Sequence, residues 1–442
     1  MKQLLGQLRN RLGDFWWYSL MIFLACRVAD ALNMAVGLWL VPKYVDAAEL
    51  GAVLPLSSFA SFLALPAYVF AMTFMKEVNT LAVHGEFGRM KTLMRGVFTA
   101  VGAFLVLAIV VSRLVLPAFL ERIRIVEGSL GLLIVASAFL NCVAPIFTNA
   151  LQALKKFKAI SVINILGAPI RFATMLAAMP YRALSGYFVG QSSTPVFSIV
   201  ASLVALRKEL SVKAEAYWSK PVVKRFTLLF LGMAGYQMFG MFAGTVEQTV
   251  LRQRIPDIES AAYYMTTRFS DISNYLALTL ITVLFPFTAE KAERGESTRP
   301  LVVKSTIALF LFGALLAVFF WLFGRPIMQL LPNGDKYCGY SWAIPWQILL
   351  NVINASTTFH ANTEASAFRF GFLKWWIPFH LAAPLLLLGV TGYGYFASAL
   401  PSTWCDFLAA NNFTSLEAMM WYFTVVLTIR FVIAAIELAR QR

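Results

Sequence analysis

Charge is scarce in this sequence. Asp, Glu, Lys and Arg make up 13% of its 442 residues, about half the share found in soluble globular chains. With 59% hydrophobic residues and a mean hydropathy of +0.70, the composition excludes a freely soluble domain and points to a polytopic membrane protein. Cysteine and histidine are scarcer, at four and three. The scattered histidines build no metal-ligand cluster. Cys26 and Cys142 lie in apolar runs, where small thiols pack as hydrophobes. Cys338 and Cys405 fall in loops opposite the N-terminal side, and the sequence leaves open whether they pair. There is no Gly-x-x-x-x-Gly-Lys-Ser/Thr phosphate loop. No nucleophile–base or metal constellation stands out either, so neither enzymatic activity nor a cofactor is expected.

Acidic residues are outnumbered by basic ones, 22 to 37. A formal charge of +15 could suit nucleic acid, but the positives sit in short loops between apolar runs, which is topology control. Runs of about 20 apolar residues suffice to span a bilayer. Twelve can be placed, near 17–41, 51–75, 93–117, 129–151, 160–180, 183–206, 226–250, 260–287, 301–323, 342–361, 375–396 and 417–438. Of the 37 Lys and Arg, 24 fall on the side of the N-terminus, 9 on the other and four within spans. The asymmetry predicts both termini in the cytoplasm, and the fold class is an all-α, multi-pass membrane protein. Arg113, Arg122 and Arg124 fit least well, since three basics outside exceed what the rule prefers. The polar start and the length of the first run predict an uncleaved anchor, not a signal peptide. The loop Lys76–Arg95 reads either as a short amphipathic segment on the inner leaflet or as a solvated loop.

The two halves echo each other. A shift of 210 places Glu49 on Glu259, Ala52 on Ala262, Phe59 on Phe269, Ala67 on Ala277 and Arg89 on Arg299. The reading is two pseudo-symmetric six-helix bundles, 1–206 and 226–442, joined by a basic cytoplasmic linker, 207–225. Six helices per half make the repeat parallel, an organisation common in transporters that rock two bundles about a central site.

Within the apolar runs a few charges remain. Arg27, Asp30 and Asn33 lie three residues apart, and Arg268, Asp271 and Asn274 repeat the order. On a helix that spacing forms one stripe. A charge at membrane depth is costly and should face protein or a wet cavity, with a partner. Each Arg–Asp pair serves either to pin its helix by mutual neutralisation or to offer a guanidinium to an anionic group. Arginine suits phosphate because its planar fork bonds in pairs and stays charged. Arg171 has no acidic residue within one turn and is the strongest single candidate for phosphate contact. Glu247 follows Gly232, Gly235, Gly240 and Gly244, a face suited to close helix packing. Two polar stripes, Gln191 to Thr194 and Asn351, Asn354 and Thr358 with His360 beyond, suit sugar hydroxyls or interhelical hydrogen bonds.

Several short stretches resemble the multidrug/oligosaccharidyl-lipid/polysaccharide exporter superfamily, and within it the polysaccharide-unit flippases. They are Leu40-Val41-Pro42-Lys43-Tyr44 with Glu49-Leu50-Gly51, and Leu151 to Lys158. In the second half they are Ala261 to Tyr264 and Leu284-Phe285-Pro286 with Ala289-Glu290. Where such proteins carry an aspartate in the seventh helix, this chain has Glu247. The resemblance implies a flippase of the bacterial cytoplasmic membrane that works by alternating access on an anionic lipid-linked oligosaccharide or polysaccharide. Its candidate substrate contacts are Arg27, Arg171, Arg268, Gln191, Asn351 and Asn354. Asp30, Glu247 and Asp271 are candidates for H+ or Na+ coupling. Implied partners are the glycan, membrane lipids and glycosyltransferases or polymerases, with no nucleic acid. The alternatives are a cation-coupled multidrug antiporter, disfavoured by three buried arginines, and a non-transporting subunit of a polysaccharide synthase.

Overall fold

Apolar runs of this length fold as helices because no other open structure satisfies the backbone in hydrocarbon. A computed structural model describes residues 27, 29–65, 69–70, 74, 77–78, 81, 84–125, 130–154, 156–293, 296–366, 370–391 and 414–440. Among them are twelve long helical stretches and no strand. In chain order they are α1 (29–44), α2 (Val53–Leu63), α3 (Phe87–Arg122), α4 (Leu130–Ala153), α5 (Phe157–Ala178) and α6 (Ala183–Ala205). The second set is α7 (Lys220–Arg254), α8 (Asp257–Glu293), α9 (Arg299–Gln329), α10 (Ala343–Ser366), α11 (Leu373–Thr391) and α12 (Leu416–Arg440). The aromatic opening of the first run at Trp16 and Trp17, Cys26, Pro66 and Cys405 lie outside the described residues.

Six of these helices, α3, α4, α6, α7, α9 and α12, contain stretches long and apolar enough to cross a membrane. Three shorter apolar helices cover Ala47–Leu63, Val162–Ala178 and Leu373–Gly389. The chain is thus a multi-pass membrane protein. Helices α8, of 37 residues, and α10, of 24, are also of spanning length, and their polar residues are where the candidate site lies. Several helices outrun the predicted spans: α7 covers 35 residues and α8 covers 37.

Two pairs of helix boundaries fall at the shift of 210. α1 ends at Tyr44 and α7 at Arg254; a short helix starts at Ala47 and α8 at Asp257. Both offsets equal the 210 read from the sequence. Contacts divide the chain differently. One unit comprises Arg254–Trp375 and Leu385–Arg442 with the described part of Met1–Lys43. The other comprises Tyr44–Gln253 and Trp376–Pro384. The division expected from the sequence, 1–206, 207–225 and 226–442, was drawn from identities at a shift of 210, whereas these units follow packing.

In the unit around Tyr44–Gln253, buried residues of α3, α4 and α5 with Val78, Leu81 and Phe226 form one core. Val78 and Leu81 are 0% and 5% exposed. These apolar residues of the 76–95 loop are therefore packed inside the protein and not laid on a leaflet, and Phe87–Arg95 already belongs to α3. Helices α5 and α6 form a tight hairpin: a Cβ on Gly190 would stand 2.0 Å from Met175 Cγ, and one on Gly186 2.6 Å from the Met179 nitrogen. The linker is docked on the first turns of α3. Glu215 N–H donates to Gly88 O at 3.2 Å, the Lys91 ammonium to Val212 O at 2.9 Å, and the Thr92 hydroxyl to Glu215 O at 2.6 Å. Tyr217 OH donates to Glu77 at 2.6 Å. Lys156 Nζ meets Glu209 at 2.8 Å and donates to Ala205 O at 2.7 Å. Burial alone would raise the Glu209 pKa, but hydrogen bonding and charge from Lys156, with Lys208 nearby, outweigh it and hold the carboxyl below its ordinary range.

In the other unit, α8, α9 and α10 enclose a core of Ala277, Leu280, Leu284, Val302, Leu309, Val352 and Phe359. Glu259 of α8 accepts the Leu416 backbone N–H, and Ser415 Oγ accepts from Ala418 N–H at 3.2 Å, so α12 starts on a doubly capped end.

Candidate functional site

Both Arg–Asp stripes lie in the unit of α8 to α10. Arg27 Nη2 meets Asp30 Oδ2 at 2.7 Å, and Arg268 Nη1 meets Asp271 Oδ2 at 2.9 Å. Asn274 Nδ2 donates to Asp271 Oδ1 at 3.3 Å, completing the second stripe as the helical spacing requires. The arginine side chains are 32% and 30% exposed, although Arg27 Nη2 and Arg268 Nε are themselves buried. Arg268 also lies over the Tyr264 ring, 5.2 Å from its centre.

A local feature of α1 positions Arg268. Ala35–Leu40 is π-helical, and Val41 N–H bonds back to Val36 O. Pro42 follows and has no N–H to give Leu38 O, so the ladder is interrupted where the turn widens. Gly37 sits in that widened turn. A Cβ there would be 2.7 Å from Arg268 Cδ. The stem of Arg268 occupies the space that a side chain on α1 would otherwise fill. The sequence displayed two separate stripes; the structure joins their helices at Gly37.

Polar residues of α10 extend this region. Asn351 Nδ2 donates to Ser270 Oγ at 2.6 Å, tying α10 to α8. Asn354 is exposed, and its Oδ1 accepts from Arg430 Nη1 of α12 at 3.5 Å. Arg430 is 7% exposed; its charge inside a span was visible in the sequence but its amide partner was not. The hydroxyls of α10 bond within their own helix. Thr358 bonds to Asn354 O, and Thr357 and Ser356 likewise to carbonyls of their own helix. Such back-bonding lets hydroxyls sit at membrane depth without a ligand.

The second cluster lies in the other unit. Arg171 Nη1 of α5 donates to Gln191 Oε1 of α6 at 3.4 Å. Gln191 Nε2 passes the chain on to Tyr187 OH at 2.8 Å, which stands 3.5 Å from Ser57 Oγ of α2. Three helices thereby orient one guanidinium. Of the neighbouring stripe, Ser192 and Ser193 bond to Phe188 O and Gly190 O, and Thr194 to Gly167 O of α5, as helix glue. Glu247 is half-buried on α7. The glycines ahead of it do not all mark close packing: a Cβ on Gly244 meets nothing within 4 Å, and one on Gly240 only touches Trp376 at 3.7 Å.

Arg252 was counted in the sequence as an outer-loop charge, yet it is 0% exposed. Its Nε donates to Ile123 O at 3.3 Å and its Nη2 to Ala48 O at 2.7 Å. Arg124, with a left-handed φ of 63°, returns a bond from Nη2 to Gln253 O at 3.1 Å. The ends of α3 and α7 thus cap each other's carbonyls with arginine. That accounts for Arg124, one of the three basics that fitted least well on this side: it is committed to a helix end. Cys338 donates its thiol to Asp335 O at 3.3 Å, and pairing with Cys405 lies outside the described residues. Among the described residues no group of three His, Cys, Asp or Glu could hold a metal.

The fold is that of MATE-type transporters, twelve helices in two lobes. An inward-facing multidrug resistance MATE family transporter of the MOP superfamily aligns over 96% of this chain and 97% of its own, at 12% identity and a TM-score of 0.62. An outward-facing conformation of such a transporter aligns over 96% and 94%, at 14% identity and a TM-score of 0.60. A MOP superfamily transporter from Pyrococcus furiosus Vc1 (DSM3638), described by a reverse polarity of its binding pocket that suggests a different function, covers 98% and 97% at 13% identity and a TM-score of 0.61. All three neighbours are described as transporters. No protein-family model and no curated protein matches the sequence.

Proposed function

We propose that this protein is a flippase or exporter of an anionic lipid-linked oligosaccharide or polysaccharide, acting by alternating access in the bacterial cytoplasmic membrane with both termini in the cytoplasm. The observation that supports it is the state of the arginines. Arg27 and Arg268 are each held by one carboxylate while keeping about a third of their surface open. Arg171 is oriented by an amide. A cargo phosphate competes with Asp30 or Asp271 for the same guanidinium fork. When the phosphate takes the fork, the released carboxylate is free to accept a proton or sodium ion. Anion binding and cation uptake are then one event, with Glu247 a further carrier. Gln191, Asn351 and Asn354 supply amides for sugar hydroxyls. With no phosphate-loop motif in the sequence, the energy comes from an ion gradient or from removal of product.

The fold likeness to multidrug transporters favours a second reading, a cation-coupled drug antiporter. The neighbour described by a reversed pocket polarity supports the view that this fold is not restricted to one cargo charge. The two readings separate in proteoliposomes. A fluorescent polyprenyl-diphosphate oligosaccharide is flipped under the first reading, and a cationic dye is not. Dye efflux with an immobile glycolipid would establish the second.

A further inference from the structure

The linker ahead of α7 is bedded on α3. Gly88, Thr92 and Gly96 recur every four residues and share one face of that helix. A Cβ on Gly88 would stand 2.7 Å from Lys213 O, and one on Gly96 2.6 Å from Trp218 Cζ2. The Trp218 ring also meets that of Phe226 on α7, with centroids 5.8 Å apart, and is still 40% exposed. One indole is thereby fixed at a common level of α3 and α7, and each of these helices contains a stretch able to span a membrane.

Around this indole the exposed faces of both helices change from cationic to apolar. On α3 the exposed stripe runs Arg95, Phe98, Ala103, Val106; on α7 it runs Lys220, Lys224, Leu228, Leu231. Arg95 directly precedes Gly96, Lys220 follows Trp218 by two residues, and Lys224 precedes Phe226 by two. Nearby carboxylates are committed elsewhere: Glu86 to Arg89, Glu209 to Lys156 and Glu77 to Tyr217 OH. Glu215 lies against Gly88, eight residues before Gly96 and so about 12 Å away along the helix. Among the described residues no ion pair joins Arg95, Lys220 or Lys224.

We propose that Arg95, Lys220 and Lys224 around Trp218 form a docking site for an anionic diacyl phospholipid of the surrounding bilayer. The lipid phosphate meets the cations, Arg95 offering paired N–H donors and the lysines point charges. The indole lies at headgroup depth, where amphipathic rings settle. The acyl chains follow the apolar stripes that begin at Phe98 and Leu228. A zwitterionic lipid brings its own cation to the same rim and is held less well. Cations that only set topology need no neighbouring indole bedded on a glycine.

The site requires a bilayer and no cargo, so its failure is separate from failure of the flippase reading. The full chain is placed in vesicles of phosphatidylcholine with a minor share of phosphatidylglycerol, and either lipid is brominated on its acyl chains at the same overall share. The chain has 11 tryptophans, so the Trp218 emission is taken as the difference between the unmodified protein and Trp218→Phe. Brominated phosphatidylglycerol is expected to quench that signal at least about twofold more than brominated phosphatidylcholine, and high salt to shrink the difference. Arg95→Gln/Lys220→Gln/Lys224→Gln makes the two lipids equal. If the triple variant does not fold, Lys224→Gln alone, at an exposed position, lowers the preference by a smaller factor. Equal quenching by the two lipids in the unmodified protein, or a preference unmoved in the folded variants, overturns the proposal. So does stronger quenching by a brominated polyprenyl diphosphate than by phosphatidylglycerol, which would assign the surface to cargo.

Discussion

At the scale of single residues, the intramembrane arginines were legible as charges in apolar runs, and the acidic partners of Arg27 and Arg268 as helical neighbours. The partners reached through folding were not. Nothing in the order of residues places Gly37 against Arg268 or Asn354 against Arg430, and Arg252 passed for a loop charge because its carbonyl acceptors carry no sequence signature. Gln191 holds Arg171 through its amide oxygen. Gln191→Leu, of similar size, is expected to lower glycolipid flipping by about tenfold, the equivalent of about 1.4 kcal/mol, while leaving the melting temperature nearly unchanged. Arg171→Ala should lower it further, and an unchanged rate would remove both residues from the cargo path. On the linker side, Glu209 has its pKa depressed, so its pairing with Lys156 stabilises the fold at neutral pH and ceases to do so as pH falls through the folded pKa. The melting temperature of Glu209→Gln should therefore lie below wild type at neutral pH and converge with it in acid. A gap that persists in acid would mean that the lost contact is not electrostatic.

At the scale of elements, twelve apolar runs became twelve helices, and the boundaries at Tyr44 and Arg254 and at Ala47 and Asp257 fall at the shift of 210. The π-helical turn Ala35–Leu40 was not legible, since it depends on how α1 meets α8 as much as on Pro42. Gly37→Ala puts a methyl 2.7 Å from Arg268 Cδ and must displace that side chain or the helix. The expected outcome is reduced flipping with modest destabilisation, of roughly 1–3 kcal/mol for an overpacked site. Rescue by shortening the neighbour, in Gly37→Ala/Arg268→Ala, should restore stability but not flipping. The arginine caps between α3 and α7 make a purely structural prediction. Arg252→Ala leaves two carbonyls and a buried space, and should destabilise the fold by roughly 2–5 kcal/mol in a denaturant titration. A loss under 1 kcal/mol, about the worth of a surface pair, would show that the caps are incidental.

At the scale of the molecule, the count and asymmetry of Lys and Arg made the class of protein legible before any helix was seen. What was not legible is which helix packs with which. The division expected from the sequence falls at 207–225, yet contacts group α1 with the second half and α7 with the first, because packing depends on helix faces and not on order along the chain. Single cysteines at Lys213 and Lys336, in a background freed of the four native ones, should be labelled from the cytoplasmic and the opposite side respectively; the reverse pattern would invert the topology. The central claim concerns charge: guanidinium groups in these helices serve a negatively charged passenger. Its most direct measurement is the flipping rate, in the same proteoliposomes, of two lipid-linked oligosaccharides that differ only in a diphosphate or a neutral link to the lipid. The diphosphate form should move at least about tenfold faster, and Arg171→Gln should erase most of the difference. Equal rates for the two forms in the unmodified protein would contradict the account.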